Sequence, residues 1–434
     1  MKVDFIIDGA SVGAANGATY MRHDTVTGKV ASEAAAASEA DVDKVVEAAA
    51  RAFPSWSEPG PSLRRALLNK AADLLESRAA EFSQLMTDEI GATGPWGGFN
   101  CFFAATLLRE AAALTTQIVG EVIPADKPGV LSMAIRQPVG VVLGMAPWNA
   151  PVILGVRAIA APLACGNTVI LRSSEVCPAT HRLIVQTLND AGFPKGVVNV
   201  IANAPADAPK IVAALIAHPA VKRINFTGSS RVGKVIAKLA AEHLKPVLLE
   251  LGGKAPLVML DDADLDAAVF GAFANQGQIC MSTERLIVDE KVADAFVAKL
   301  AKRAAALPAG DPRGPVVLGA LVSVEAAERM DELIADAVAK GAKIVAGGKR
   351  AGAVVEATVV DHVRSSMRIY GEESFGPVKP VIRVKDQEEA IRVANDTEYG
   401  LSSAVFSRDI QRALAVAKRL ETGICHINGP TVHD

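Results

Sequence analysis

The order of apolar runs between Val139 and Glu250 constrains the fold more than any other feature of this sequence. Short β-type runs alternate there with longer patterns of helical period. The predicted strands are 139–143, 168–172, 197–201, 222–226 and 246–250. The predicted helices are 151–164, 179–191, 207–217 and 231–242. This repetition is typical of an α/β fold, with an open parallel sheet and crossover helices.

A second alternating region begins at Lys254. Its predicted strands are 284–289, 343–346, 378–384 and 401–406, and its predicted helices are 291–305, 323–340, 387–395 and 409–419. Between residues 118 and 137, a rough alternation of apolar and polar residues predicts a protruding β-hairpin. Near the N-terminus, a capping pattern at Ser38 begins a helix that we expect Pro54 to end. At 434 residues the chain is longer than one core usually extends, so we expect at least two domains.

Charge and cysteine usage exclude several classes of protein. The net charge is −3 and both signs are interspersed, which favours neither nucleic acid nor an anionic membrane as a partner. The five cysteines are widely spaced and form no C-x-x-C, so we expect reduced thiols, a cytoplasmic location and no metal site. The N-terminal run carries aspartates and does not resemble a signal peptide. The uncharged region 137–156 is broken by prolines, so we expect no transmembrane helix.

Cys280 is the first candidate for chemistry. The stretch from Gly271 to Val288 places it between an amide-rich approach and a polar exit, Ser282 to Arg285. A thiol in such a loop can be reached by a substrate, and its thiolate can be stabilised. Most lone cysteines are instead small buried hydrophobes. From this stretch alone, a nucleophile and a structural cysteine both stay open.

Residues 225–235 come close to a phosphate-binding loop. Val235 stands where such a loop needs Ser or Thr to hold magnesium, which argues against an NTPase. Gly228 and Ser229 still follow a predicted strand and precede a predicted helix, and free N–H groups at a helix N-terminus bind anions such as pyrophosphate. A simple strand-to-helix turn explains the segment equally well.

Other polar groups follow predicted strands. Glu250 ends an apolar strand before two glycines, where a carboxylate is costly unless it is paired or its pKa is raised towards that of a general base. Asn149 lies in a loop stiffened by prolines and could donate to an oxyanion. Arg172 and Glu175 offer a cation and a carboxylate to a ribose diol, and Glu373 lies close to an aromatic residue. Taken singly, these loops are explained better as polar surface.

Four aromatic residues cluster on one predicted helix in a chain that has few aromatics. They are Trp96, Phe99, Phe102 and Phe103. Packing in the core is the favoured explanation, and the wall of a pocket for a flat ligand is the alternative.

Together these motifs resemble the NAD(P)-dependent aldehyde dehydrogenase superfamily. P-W-N, R-S-S-E, F-T-G-S, E-L-G-G-K, G-Q-I-C, E-E-S-F-G-P and N-D-T-E-Y-G-L occur in the superfamily's order, and the resemblance covers essentially the whole chain. Each motif is weak, but seven in order are specific. N-Q-G-Q-I-C-M-S-T-E-R and the region around Trp96 resemble the salicylaldehyde, benzaldehyde and vanillin dehydrogenase branch.

The resemblance implies an aldehyde dehydrogenase-like α/β fold. Its parts are a Rossmann-type NAD-binding domain (1–117 and 138–252), an oligomerisation hairpin (118–137), a second α/β catalytic domain (253–425) and the start of a C-terminal segment (426–434). The superfamily continues for a few dozen residues beyond His433 and Asp434, so we expect this segment to be truncated and to leave a sheet edge unpaired. A homodimer or a dimer of dimers is implied.

The resemblance also assigns roles in catalysis. Cys280 would attack the aldehyde carbon as a thiolate. The Asn149 side chain and the Cys280 N–H would hold the oxyanion, and Glu250 would activate water to release the acid.

The cofactor-binding residues implied are Trp148, Arg172, Glu175, Gly228, Ser229, Gly252, Glu373 and Phe375. Glu373 would hold the nicotinamide ribose, with Phe375 near the ring. Arg172 and Glu175 would hold the adenosine ribose, although the family commonly has Lys in place of Arg172. Because Glu175 would repel a 2′-phosphate, we expect NAD rather than NADP.

Three residues are candidates for the substrate pocket. Arg157, with Trp96 and Phe99, would shape a site for an aryl aldehyde that carries a hydroxyl group. A surface or interface salt bridge explains Arg157 equally well. The alternatives for the whole chain are an aliphatic semialdehyde dehydrogenase, a non-catalytic nucleotide-binding subunit and a cysteine hydrolase.

Overall fold

The computed structural model describes residues 1–266 and 272–432. Gly271, at the start of the cysteine-containing stretch, and His433 and Asp434, at the end of the segment expected to be truncated, lie outside the described residues. The chain divides into two compact units. The first unit contains Met1–His23, Lys29–Glu89 and Pro95–Glu250, and the second contains Asp24–Gly28, Ile90–Gly94 and Leu251–Asp434. The functional names given above to the domains stay predictions.

The first unit is built on a mixed seven-stranded sheet. The strands up to Glu250 are β1 (Lys2–Val3), β2 (Phe5–Ile7), β3 (Ala10–Val12), β4 (Thr19–His23), β5 (Val30–Ala35), β6 (Glu121–Ile123), β7 (Ser132–Ala134), β8 (Val141–Met145), β9 (Thr168–Arg172), β10 (Val198–Ile201), β11 (Val221–Thr227) and β12 (Val247–Glu250). The α-helices up to Glu250 are α1 (Glu39–Ser57), α2 (Pro61–Ser77), α3 (Ala79–Ile90), α4 (Gly94–Leu114), α5 (Pro151–Ala164), α6 (Pro178–Ala191), α7 (Ala208–Ala217) and α8 (Ser230–Glu242).

The strand order of the large sheet is β12-β11-β8-β9-β10-β2-β3. Strands β8 to β12 run parallel, and β2 joins β10 antiparallel. The alternation that the sequence predicts from Val139 to Glu250 is therefore confirmed. Since the carboxyl ends of parallel strands meet at one edge of a sheet, the loops after β8, β9, β10, β11 and β12 share that edge.

The first helix differs from its prediction. Helix α1 continues through Pro54 to Ser57, so the expectation that Pro54 ends it is wrong. Trp56 explains the extra turn, because its side chain is buried and its ring lies 5.4 Å from that of Phe193. This packing offsets the single backbone hydrogen bond that Pro54 cannot donate.

The second unit has its own seven-stranded sheet. Its strands are β13 (Pro256–Met259), β14 (Arg285–Asp289), β15 (Lys343–Ala346), β16 (Arg350–Ala351), β17 (Val354–Val355), β18 (Thr358–Asp361), β19 (Val378–Val384), β20 (Ser402–Phe406) and β21 (Ile424–Ile427). The described helices are α9 (Glu290–Ala305), α10 (Val324–Ala339), α11 (Arg368–Gly371), α12 (Gln387–Asn395) and α13 (Ile410–Ala417). The sequence-based prediction missed β13, β16, β17, β18 and β21.

This second sheet is parallel except at one edge. Its order is β15-β18-β19-β14-β13-β20-β21, with β15 antiparallel to β18. Apolar side chains pack on both faces, including Met330 and Ile391 in one cluster and Phe296 and Leu300 in the other. The two sheets confirm the predicted α/β fold class. The loops before β13, β14 and β19 lie at the amino ends of adjacent parallel strands.

The predicted hairpin is present as β6 and β7, which pair antiparallel. Its role in oligomerisation stays a prediction. No described helix combines the length and the apolar character needed to cross a bilayer.

Candidate active site

Asn149 is held in the loop between β8 and α5. The residue is buried, and its backbone carbonyl accepts a hydrogen bond of 3.0 Å from the Trp96 indole nitrogen. Pro151 occupies the first turn of α5 and limits the freedom of the backbone that follows. Trp148, in the same loop, is half-buried. The loop is thus stiff, as the prolines in the sequence indicate, and an amide on a stiff loop suits an oxyanion donor.

The aromatic cluster on α4 forms a stack that solvent reaches. The ring centroids of Trp96 and Phe99 lie 5.4 Å apart, and those of Phe99 and Phe103 lie 5.8 Å apart. Phe99 is 37% exposed and Phe102 is 62% exposed, so the favoured expectation of core packing is wrong for these two residues. The alternative explanation, the wall of a pocket for a flat ligand, stays a prediction.

Arg157 is exposed on a largely buried helix, α5, whose other exposed residue is Ala161. Its guanidinium lies 3.4 Å from the hydroxyl of Thr227, at the end of β11. Within the described parts of the chain, Arg157 forms no ion pair. A surface salt bridge that would explain this charge is therefore absent from the described residues, and a salt bridge at an interface with another subunit stays open.

Glu250 ends β12, directly opposite Thr227 of β11. Its carbonyl oxygen accepts a hydrogen bond of 3.0 Å from the backbone N–H of Gly228, which fixes the strand end. The residue is half-buried, and no described residue forms a hydrogen bond or an ion pair with its carboxylate. Its role as the base that takes a proton from water stays a prediction.

Arg172 and Glu175 form an ion pair after β9, and a third residue joins them. The Arg172 Nε donates to Asn203 Oδ1 at 2.9 Å, and Asn203 Nδ2 lies 3.3 Å from Glu175 Oε1. Asn203 follows β10, the next strand of the sheet. The sequence analysis missed Asn203. The signal that could have revealed it is its place immediately after a parallel strand, at the edge that also carries Arg172.

Gly228 and Ser229 form the turn into α8. The Ser229 hydroxyl accepts a hydrogen bond of 3.3 Å from the Val232 N–H and so caps the helix. A capped N-terminus concentrates N–H groups and partial positive charge, which suits a pyrophosphate.

Cys280 lies in the loop before β14 and is half-buried, and its thiol forms no disulfide. The approach to it is strained: Asn275, Gln276 and Gly277 have φ angles of +44°, +53° and +75°. Two of these residues are not glycine, and each costs free energy in the left-handed region. The Gln276 side chain offsets part of this cost by donating to the Ala320 carbonyl at 3.2 Å.

Close contacts require a glycine at position 253, where the opposing atom is backbone, and restrict position 252, where it is the end of a side chain. A Cβ at Gly253 would lie 2.3 Å from the carbonyl oxygen of Cys280, and one at Gly252 would lie 2.8 Å from a carboxylate oxygen of Glu373. The Gly253 N–H donates to Glu373 Oε1 at 2.9 Å. Gly253 therefore contacts the cysteine segment and the Glu373 carboxylate at once. Burial raises the pKa of Glu373 to about 7.

The sequence analysis interpreted the segment after Cys280 as a polar exit beside a thiol that a substrate can reach. In the structure this segment is buried. Ser282, Thr283, Glu284 and Arg285 are all at most 2% exposed. Glu284 forms an ion pair of 2.7 Å with Lys254, and Lys379 lies beside Ser282 at 3.2 Å. The sequence analysis gave no role to Lys254, Glu284 or Lys379. The position of the two lysines at apolar strands could have revealed this cluster, because a buried charge needs a partner.

The predicted residues are distributed over both units. Asn149 and Glu250 belong to the first unit, and Cys280 belongs to the second. In the first unit, Trp96 contacts Asn149, and Arg172 contacts Glu175. In the second unit, Gly252 lies against Glu373. Among the residues that the structure describes, no cluster of His, Cys, Asp and Glu could hold a metal ion.

Comparison with known proteins agrees with the resemblance drawn from the motifs. Vanillin dehydrogenase from Pseudomonas fluorescens is 59% identical over 439 residues, covering 100% of this chain and 91% of that protein. The crystal structure of a salicylaldehyde dehydrogenase from Pseudomonas putida G7, complexed with salicylaldehyde, has a TM-score of 0.98 and 52% identity and covers 100% of this chain and 91% of that one. PnpE in complex with nicotinamide adenine dinucleotide has a TM-score of 0.95 and 36% identity, covering 100% and 91%. The aldehyde dehydrogenase family model matches residues 13–434, and the chain belongs to that family.

Proposed function

We propose that this enzyme oxidises an aromatic aldehyde to its carboxylic acid with NAD, through a thioester on Cys280. The observation that carries the proposal is the packing around Gly253. Its N–H holds the Glu373 carboxylate at 2.9 Å, and its Cα has no room for a side chain against the Cys280 carbonyl. Gly253 thus contacts both the segment of the proposed nucleophile, Cys280, and the side chain of a candidate cofactor-binding residue, Glu373. Similarity to vanillin and salicylaldehyde dehydrogenases supports the aromatic substrate class.

The chain's residues would act in two stages. The Cys280 thiolate forms a C–S bond to the aldehyde carbon, and the Asn149 side chain and the Cys280 N–H donate to the oxygen that becomes negative. NAD, when bound, would supply the two-electron oxidation, as a hydride acceptor, that the change from this adduct to a thioester requires. Glu250 then removes a proton from water, which adds to the thioester carbonyl, and the C–S bond breaks to release the acid.

The residues present fit a dinucleotide. Arg172 and Glu175 provide a donor and an acceptor for the adenosine ribose, and the capped start of α8 at Ser229 suits the pyrophosphate. Glu373 provides an acceptor for the nicotinamide ribose. The carboxylate of Glu175 would repel a 2′-phosphate, so NAD is the proposed cofactor rather than NADP.

One assay tests the reaction. Wild type, Cys280→Ala and Glu250→Gln are compared for NADH formation from benzaldehyde. We expect no turnover for Cys280→Ala, because no other group forms the C–S bond. We expect Glu250→Gln to give one rapid equivalent of NADH and then a slow steady state, with an acyl group on Cys280 in the mass spectrum. Ester cleavage by wild type without NADH formation would instead identify a cysteine hydrolase.

Arg157 is proposed to donate to the hydroxyl of a substrate such as salicylaldehyde, with Trp96 and Phe99 against the ring. A hydrogen bond to a charged group contributes about 1.5–3 kcal/mol, so Arg157→Ala should lower kcat/KM about 10- to 100-fold on salicylaldehyde. Benzaldehyde, which has no hydroxyl, should lose much less. Equal losses on both aldehydes would remove the proposed contact.

The absence of an ion pair at Arg157 among the described residues also favours a second candidate. An aliphatic semialdehyde would bring a distal carboxylate that this guanidinium could bind. A kcat/KM on succinate semialdehyde well above that on benzaldehyde would identify that function.

We also propose a cytoplasmic homodimer, or a dimer of dimers, assembled through the β6–β7 hairpin. Apolar residues are exposed on and beside it, including Val122 at 72% and Met133 at 55%. Exposed apolar area of this kind is typical of an interface. Light scattering after deletion of residues 118–137 should show a monomer, and retention of the oligomer would contradict the assignment.

A further inference from the structure

We propose that Glu284 is a positioning residue which, with the buried Lys254 and Lys379, holds the cysteine loop and the loop 372–376 in one fixed arrangement and thereby sets cofactor affinity. The inference rests on the proposed roles of Cys280 and Glu373. It assigns a function to three charged groups that take no part in the reaction described above.

Glu284 is surrounded by donors from the loop that carries Glu373. Its Oε2 accepts from Lys254 Nζ at 2.7 Å and from the Ser374 N–H at 2.9 Å. Its Oε1 accepts from the Ser374 hydroxyl at 2.8 Å and from the Phe375 N–H at 3.1 Å. Both oxygens are therefore satisfied, and two consecutive backbone amides of the loop depend on this carboxylate.

The two lysines extend the contacts to both ends of the loop. Lys254 also donates to the Glu372 carbonyl at 2.6 Å. Lys379 donates to the Gly376 carbonyl at 3.4 Å and to the Ser282 hydroxyl at 3.2 Å. Ser282 lies two residues after Cys280 in the chain, so Lys379 joins the cysteine loop to the end of the Glu373 loop.

The two buried ammonium groups have an anionic partner within this cluster only while Glu284 is ionised. Burial by itself would raise the pKa of Glu284, but the Lys254 and Lys379 ammonium groups and the Ser374 N–H hold it below its usual range. Burial lowers the pKa of Lys379 to about 8. Without the carboxylate, two buried cations would face each other unpaired, which is strongly unfavourable. The loop would then have to move and admit water.

Movement of this loop changes the proposed cofactor site directly. Glu373 lies between Glu372, whose carbonyl Lys254 holds, and Ser374, whose N–H Glu284 holds. Phe375 has a φ of +53°, a strained conformation that persists only when its surroundings impose it. The Phe375 N–H bond to Glu284 is one such constraint. Releasing it should therefore weaken cofactor binding more than it weakens aldehyde binding.

The experiment compares Glu284→Gln with the double variant Glu284→Gln/Lys379→Met. The double variant removes one charge of each sign and restores the net charge of the wild-type cluster. The matched control is Asp361→Asn, which disrupts the ion pair between the buried Asp361 and the half-buried Arg383 at the opposite, carboxyl end of the same sheet. For each protein we measure the Kd for NADH by fluorescence, the KM for NAD and for benzaldehyde, and the urea midpoint of unfolding.

We expect Glu284→Gln to raise the Kd for NADH and the KM for NAD about tenfold or more, as for the loss of one charge-assisted hydrogen bond, while the KM for benzaldehyde changes less than about twofold. The double variant should recover part of the lost affinity for NADH. Asp361→Asn should lower the urea midpoint without changing the Kd. If Glu284→Gln does not fold, the double variant, which keeps the wild-type net charge, carries the comparison, with a Kd for NADH still above that of wild type.

Two results would overturn the inference: an unchanged Kd for NADH in Glu284→Gln, or an equal rise in Kd for Asp361→Asn. Either would leave the cluster as a contribution to stability only. A wild-type protein that neither binds NADH nor forms it would refute the proposed function instead, so the two failures are distinguishable.

Discussion

Replacement of Gly253 by Ala gives the sharpest prediction from the structure. The added Cβ would lie 2.3 Å from the carbonyl oxygen of Cys280. Carbon and oxygen atoms in contact are ordinarily about 3.3 Å apart or more. Because the opposing atom belongs to the backbone, no side-chain rotation relieves the clash. The two segments must therefore separate by about 1 Å, the difference between these distances.

The expected loss follows from that displacement. A misplacement of about 1 Å in a reacting group costs about 100-fold in rate, so kcat/KM should fall by about that factor. Overpacking of this kind costs about 1–3 kcal/mol of stability, which a protein of ordinary stability survives. Gly253→Ala should therefore fold and still be a poor enzyme.

The assay is the initial rate of NADH formation, with urea unfolding to confirm the fold and alkylation of Cys280 followed by peptide mass spectrometry. Gly371→Ala is the control, because a Cβ at Gly371 meets no atom within 4 Å. We expect the control to keep its activity within about twofold. A Gly253→Ala variant with kcat/KM within about threefold of wild type would refute the argument that this contact positions Cys280.

Three further predictions concern titration, cofactor choice and stability. Burial raises the pKa of Glu373 to about 7, so its carboxylate ionises as pH rises through that value. The Kd for NADH should therefore fall between pH 6 and pH 8, and Glu373→Gln should flatten the profile. Because the folded state holds this proton more tightly than the unfolded state, the same group lowers stability as pH rises from about 4.5 to about 7, which urea midpoints across pH can check. Glu175→Gln should raise kcat/KM for NADP relative to NAD, and a wild type that uses both cofactors equally would contradict the assigned selectivity. Glu89→Ala should lower the free energy of unfolding by about 3 kcal/mol, since two backbone N–H groups at the start of α6 lose their acceptor; the exposed Glu47→Ala should change it by less than about 0.5 kcal/mol.

Much of the fold was accessible from local patterns. The predicted bounds of α5 and β9, at 151–164 and 168–172, agree with the structure to the residue. The missed strand β13 has only four residues and begins at Pro256, and a proline in an apolar run argues against a strand. For helix α1, the local rule that a proline ends a helix gave a wrong prediction. The tertiary packing of Trp56 stabilises the helix beyond Pro54.

Some residues of the candidate site were likewise predictable from the sequence, and others were not. The residue types and their order along the chain were sufficient to nominate Cys280, Asn149 and Glu250. The supporting residues were not accessible, because their partners are distant in sequence: Ser374 lies 90 residues from Glu284, and Glu373 lies 120 from Gly253. Such pairs depend on which strands become neighbours, and a one-dimensional pattern does not state that order.

The sequence by itself determined the alternation of helices and strands, the family and the nominated nucleophile, because hydrophobic periodicity and short motifs are local properties of the chain. Only the tertiary structure decided that two adjacent glycines leave room for the Cys280 carbonyl and the Glu373 carboxylate, and that Glu284 is a buried anion between two lysines. The physical reason is that burial and ion pairing arise when distant segments meet at a sheet edge, so the same charged residues would be exposed to solvent in another strand order.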